Sequence, residues 1–136
     1  MPGILSHEEL ETELGSSAYH QFLQLKLEER TDQSIAIRLP YNELFLTGKD
    51  GYIHGGMIAT LIDIAGYFAV FQKVNQPTPT VDLHIDYLRP ARAGDLVAKA
   101  HVVKLGRTVS IADIVVTDPA GKEVAIGRGL FSSKQA

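Results

Sequence analysis

The chain has 136 residues, 45% of them apolar and 21% charged, with 13 basic against 16 acidic side chains for a formal charge of −3. That length is one ordinary domain able to build its own core. The balance excludes wholesale disorder and offers no blanket attraction to nucleic acid or an anionic membrane.

No cysteine is present, which removes disulfides, thiolate zinc sites and cysteine nucleophiles and suits a reducing, cytoplasmic location. Residues 1–20 read as an N-terminal helix and lead-in, and residues 21–136 as a single domain. Ser6 followed by Glu9 is a capping box that opens the short helix. Glu8, Glu9, Glu11 and Glu13 without any Lys or Arg give this stretch the wrong charge for a secretory leader. Leu23–Glu29 and Ser34–Pro40 then read as two strands around Thr31-Asp32-Gln33.

From Lys49 to Lys73 the only other charges are Asp50 and Asp63. The apolar part, Met57 to Phe71, is 15 residues, short of the ~20 that cross a bilayer. It is therefore predicted as a core helix, with no membrane partner. At about 100° per residue, Met57, Leu61, Ile64, Phe68 and Phe71 form a bulky stripe. Ala59, Thr60, Asp63, Gly66, Tyr67 and Val70 form a small or polar face opposite, and Ile58, Ile62, Ala65 and Ala69 one flank. A helix so apolar around its circumference should be enclosed.

Strands follow. Val81, Leu83, Ile85 and Tyr87 alternate with Asp82, His84 and Asp86, and Leu96, Ala98, Ala100 and Val102 repeat the period of two. Thr108–Thr117 is rich in β-branched residues, Asp118-Pro119-Ala120-Gly121 is a turn, and Glu123–Phe131 is a last strand containing Gly127 and Gly129. The fold class is α+β, with one long central helix wrapped by a five- to six-stranded antiparallel sheet.

Chemistry concentrates on that helix. His54-Gly55-Gly56 leads into it, so amides lacking intrahelical acceptors, together with the helix dipole, could receive an anion or a developing oxyanion. The plainer alternative is a tight loop-to-helix junction. Asp63 is the one charge in an otherwise uncharged helical run. A buried carboxylate needs donors or a partner, so it is either catalytic or held structurally by a neighbouring donor. Gly55 and Asp63 are eight residues apart, about 12 Å along a helix. One reacting carbonyl cannot lie beside both, so if they serve one site they come from different chains. The small face with Ala59 and Gly66 would let a partner helix approach.

His7, His20, His84 and His101 are scattered and no metal-ligand spacing occurs, so no metal is expected. The HGG run lacks an accompanying GxSxG and βα alternation, which excludes the α/β-hydrolase reading. Arg89, Arg92, Lys104, Arg107 and Arg128 lie mostly at strand ends. They are either solvated loop charges or phosphate contacts for a nucleotide-bearing substrate such as coenzyme A.

The run from Gly51 to Ala65, with His54, Gly55, Gly56, Leu61 and Asp63 at their spacing, resembles the HGGxxxxLxDxA signature of hotdog-fold acyl-CoA thioesterases. The nearest branch is the phenylacetyl-CoA thioesterase-like one. Thr80 through Ala91, then Gly94-Asp95, Lys104-Leu105-Gly106-Arg107-Thr108 and Gly127-Arg128-Gly129, are similar to the family's strand blocks, and the likeness covers about residues 20–132.

The resemblance implies a hotdog fold, a homodimer often assembled into a homotetramer, and two sites per dimer at the subunit interface. It also implies an acyl-CoA substrate with no separate cofactor, coenzyme A being part of that substrate. Asp63 is then the nucleophile or general base, and the Gly55 N–H polarises the thioester carbonyl. His54 positions the thioester, and Thr80 orients Asp63 or the attacking water. Gly56 and Tyr67 line the substrate site, and Lys104 and Arg107 meet the coenzyme A phosphates.

In one place the chain departs from the pattern. The family often carries Asn six residues before the histidine, where this chain has Gly48 within Thr47-Gly48-Lys49-Asp50. Thr47 or Asp50 covers that role, or it is unfilled. The departure motivates an alternative, an acyl-CoA-binding hotdog protein without catalysis. Dehydratase or hydratase chemistry is a further alternative, whose acid–base pairs do not match His54 and Asp63.

Overall fold

The structure, a computed structural model, describes residues 5–134, so residues 1–4 and 135–136 of the two expected segments lie outside the described residues. Helix α1 spans His7–Leu14 and opens on the expected capping box: the Ser6 hydroxyl accepts from Glu9 N–H at 3.1 Å, and the Ser6 N–H donates to the Glu9 carboxylate at 2.9 Å. A second helix, α2 (Ala18–Leu23), occupies what reads in sequence as lead-in and strand start. Gln24 closes it in the left-handed conformation (φ 57°), a cap usually made by Gly or Asn, so no composition signal marks it. Strands β1 (Lys26–Arg30) and β2 (Ser34–Leu39) follow as a hairpin.

Helix α3 runs Gly55–Val74. Asn75 ends it in the left-handed conformation, its N–H donating to the Phe71 carbonyl at 2.7 Å, and Pro77 and Pro79 prevent continuation. Strands β3 (Thr80–Tyr87), β4 (Leu96–Lys104), β5 (Val109–Thr117) and β6 (Glu123–Ser132) complete one six-stranded antiparallel sheet in the order β1-β2-β4-β5-β6-β3. The expected helix against an antiparallel sheet is therefore present, at the upper of the two strand numbers.

The core lies between α3 and the inner face of the sheet, where Ile58, Leu61, Ile62, Ala65 and Ala69 meet Ile37, Leu96, Ala98, Ile114 and Phe131, all almost fully buried. Each large apolar side chain so buried contributes about 1.5–3 kcal/mol. Small residues set how closely the layers approach. A Cβ on Gly66 would lie 2.7 Å from Phe131 Cζ, and one on Gly127 would lie 2.8 Å from Ile62 Cγ2.

Gly66 thus faces the sheet rather than a partner helix, which corrects the expected face for helix approach, and Val70 is fully buried as well. The side of α3 left partly open carries Ala59, Thr60, Asp63 and Tyr67. The helix is not enclosed all round in a single chain, because the sheet takes one side and α1–α2 only part of the other.

Gly127→Val is expected to cost about 1–3 kcal/mol through overpacking against Ile62, read as a lower thermal midpoint. Gly56→Ala, where a Cβ meets nothing within 4 Å, should leave the midpoint unchanged. Equal midpoints for Gly127→Val and the parent would refute this account of the interlayer contact.

Candidate active site

Two features of α3 sit about 12 Å apart along its axis, at Gly55 and at Asp63. Each is tied to a different end of β3. At the first, the loop before the helix is pinned by backbone bonds: Ile53 N–H donates to the Ala91 carbonyl and His54 N–H to the Phe45 carbonyl, both at 2.7 Å. His54 is the N-cap, but its side chain makes no capping hydrogen bond and its ring is exposed. Its carbonyl receives Met57 N–H at 2.9 Å and Ile58 N–H at 3.3 Å, leaving the amides of Gly55 and Gly56 aimed out of the helix start.

The Tyr87 hydroxyl, at the end of β3, donates to the Gly55 carbonyl at 2.6 Å. A Cβ on Gly55 would meet the Tyr87 ring at 3.2 Å, so glycine lets the ring pack here without shifting. Gly55, Ile58, Tyr87, Leu88 and Arg89 border a cavity of about 360 Å³ there.

At the second feature, the Thr80 hydroxyl, at the start of β3, donates to Asp63 Oδ1 at 2.6 Å. Among the described residues nothing donates to Oδ2. Asp63 is half-buried rather than buried, and it borders a cavity of about 280 Å³ between α3 and the α1–α2 segment. Tyr67, Phe68, Phe71 and His20 supply its aromatic wall, with Tyr67 and Phe71 stacked at 5.8 Å and His20 edge-on to Phe68 at 5.9 Å. Burial pushes the Tyr67 phenol above its ordinary range, and the nearby Glu13 carboxylate adds to the shift, so that phenol stays uncharged at neutral pH. His20 donates from Nδ1 to the Leu14 carbonyl at 2.9 Å, which orients its ring. Tyr19, one residue earlier, donates to the Thr60 hydroxyl at 3.1 Å and fastens α2 to α3.

The remaining expected residues are dispersed. Lys104 and Arg107 are exposed on the β4–β5 turn, at the sheet end where Ser110, Phe131 and Thr80 stand in register across β5, β6 and β3. That turn is held from beneath: Ser110 Oγ receives Gly106 N–H at 3.0 Å and bonds Ser133 Oγ at 2.9 Å, both serines being buried. Tyr52 borders the cavity at Gly55 rather than the one at Tyr67, and it lies under the Arg92 guanidinium, 4.9 Å from its ring centroid.

Arg128 is not a free phosphate ligand. It makes a bidentate pair with Asp113 at 2.6 and 2.9 Å, and the guanidinium holds that carboxyl below its usual range. The Thr47 hydroxyl receives Tyr52 N–H inside its own turn, and Asp50 borders a hollow with Tyr41 and Arg92 rather than the cavity at Gly55. Neither therefore stands in for the missing Asn within one chain. Among the described residues no group of His, Asp and Glu is arranged to hold a metal.

Tyr87 and His20 were not singled out by sequence. Tyr87 reads simply as the last alternating residue of a strand, and His20 as one of several isolated histidines. The Tyr87-Leu88-Arg89-Pro90 strand end is the one local hint that the first sits beside a loop.

Comparison with known proteins bears on the family and the fold. The sequence model of the Thioesterase superfamily matches residues 50–125, which include α3, β3, β4 and β5. A candidate esterase of Halobacterium salinarum is 43% identical over 122 residues, covering 81% of this chain and 80% of its own length. Acyl-coenzyme A thioesterase 13 of Mus musculus is 38% identical over 85 residues, 60% of this chain and 61% of its own length. An X-ray structure of a protein from the thioesterase superfamily superposes with a TM-score of 0.88 at 34% identity, covering 92% of this chain and 96% of the other.

Proposed function

The chain belongs to the thioesterase superfamily and is a thioester hydrolase, and on that premise we propose that it hydrolyses an acyl- or aryl-coenzyme A thioester to the free acid and coenzyme A. The thioester carbonyl lies at the start of α3 in one protomer, where the Gly55 N–H polarises its oxygen and His54 and Gly56 line the approach. Asp63 of the other protomer attacks the carbonyl carbon or removes a proton from the water that does. Thr80 holds Asp63 Oδ1, so the reacting oxygen is Oδ2. The tetrahedral adduct collapses with loss of the coenzyme A thiolate, which takes up a proton; where Asp63 itself attacked, water then cleaves the resulting anhydride, releasing the acid and restoring the carboxylate. Tyr67 and the aromatic wall receive the acyl group, and Lys104 and Arg107 receive coenzyme A phosphates. No separate cofactor is needed, and a cytoplasmic location suits a coenzyme A substrate.

One observation carries the two-chain site. Strand β3 is an edge strand eight residues long, and its apolar residues Val81 and Tyr87 are 59% and 52% exposed. Long unprotected edges invite pairing with another chain. Antiparallel self-pairing on a two-fold axis near the middle of β3 would set its start against its partner's end. The start carries Thr80 with Asp63, and the end carries Tyr87 with Gly55. The dimer therefore brings together the two half-sites that one helix keeps about 12 Å apart. Such dimers pair further into a tetramer.

The test is free-thiol release from short, medium, long and aromatic acyl-CoAs by the purified protein. Release with a clear substrate ranking is expected. Tight acyl-CoA binding without release would favour instead the non-catalytic reading that Gly48 motivates.

A further inference from the structure

The two amides at the start of α3 belong to two peptide groups, and each peptide has its carbonyl secured differently. The Gly55 N–H shares its plane with the His54 carbonyl, which the first turn of the helix itself holds through Met57 and Ile58. The Gly56 N–H shares its plane with the Gly55 carbonyl, to which Tyr87 donates at 2.6 Å. A helical carbonyl already faces the amide four residues on, and its second lone pair remains for the phenol.

A trans peptide is rigid, so an oxygen fixed on one side fixes the direction of the N–H on the other. A hydrogen bond accepted by the carbonyl also polarises the same peptide and strengthens its N–H as a donor. The phenol is itself anchored. Tyr87 pairs with Ala125 of β6, and the adjoining Leu88 N–H donates to the Val124 carbonyl at 2.9 Å. Its ring lies against the Gly55 Cα, where a Cβ would intrude.

We propose that Tyr87 is a positioning residue for the hydrolysis, acting through the Gly55–Gly56 peptide to aim and strengthen the Gly56 N–H as a second donor to the thioester oxygen. This rests on the proposed thioesterase site. It adds that the site has two amide donors of different origin, one set by the helix and one set by a side chain on β3.

Tyr87→Phe keeps the ring against Gly55 and removes the hydroxyl. It should lower kcat at least about ten-fold, within the range for weakening one oxyanion donor, with KM and the oligomeric state unchanged. The decisive reading is vibrational. In an Asp63→Asn background, which holds substrate intact, a 13C-labelled thioester carbonyl bound to the protein should stretch at a frequency lowered from its value in solution. Adding Tyr87→Phe should move it back toward that value.

Parent-like kcat and an unmoved carbonyl frequency in Tyr87→Phe would overturn the proposal while leaving thiol release by the parent intact. Absence of release by the parent would instead count against the underlying thioesterase reading. If Tyr87→Phe separates the subunits, 3-fluorotyrosine at position 87 keeps the hydroxyl and makes it a stronger donor. A further lowering of the carbonyl frequency then supports the assignment, and no change overturns it.

Discussion

Asp63→Asn is expected to slow thiol release from the best acyl-CoA substrate at least ~100-fold, the scale of a lost acid–base or nucleophilic group. It should do so without altering the fold. The substitution is nearly isosteric, and the amide oxygen can still accept the Thr80 hydroxyl that now reaches Oδ1 at 2.6 Å. The thermal midpoint and the helix signal in circular dichroism should therefore match the parent. What the amide lacks is a negative oxygen at Oδ2 able to attack carbon or accept a proton from water. Turnover within a few-fold of the parent, in a folded Asp63→Asn protein, would remove Asp63 from the chemistry and reduce it to a structural acceptor for Thr80.

Mixing two inactive variants is expected to restore activity. Gly55→Pro deletes the amide proposed to polarise the carbonyl, and proline is tolerated at the first helical position. His54, at φ −52° and ψ 135°, already has the extended backbone that a residue before proline prefers. The Tyr87 ring, 3.2 Å from where a Cβ would sit, must yield slightly.

Alone, Gly55→Pro and Asp63→Asn should each be nearly inactive. Unfolded together, refolded and allowed to pair at random, they form about half mixed dimers, each holding one intact site and one doubly damaged site. Recovered activity should approach about a quarter of the parent's. If both groups acted within a single chain, no mixture would recover anything, and the composite site would be disproved. Sedimentation of each variant as a dimer before mixing separates failure of the chemistry from failure of assembly.

Much of the fold was legible because its determinants are local and periodic. The capping box at Ser6 and Glu9, the alternation of Val81 to Tyr87 and the uncharged run through α3 each specify an element without reference to anything distant. Helix α2 was not legible, because it is short and ends on Gln24 rather than glycine. The apolar circumference of α3 pointed to complete enclosure, but hydropathy does not say which neighbour covers which side. Gly66 illustrates this: a small residue permits close approach, and only the packing shows that Phe131 of β6 makes that approach.

The same division runs through the site. Sequence by itself determined the helix signature, the donor-bearing glycines, the lone carboxylate and, by spacing alone, that Gly55 and Asp63 can serve one site only from different chains. The comparisons agree with it on family. Tertiary structure decided which β3 residue accompanies each half-site, Thr80 at Asp63 and Tyr87 at Gly55, and that these stand at opposite ends of an unpaired edge. It also decided that His20 closes the aromatic cavity and that Arg128 is committed to Asp113. The physical reason is one of range. Spacing within a helix is set by covalent geometry and a fixed rise per residue, whereas a hydrogen bond between residues 17 or 32 positions apart depends on how strands pair and layers pack.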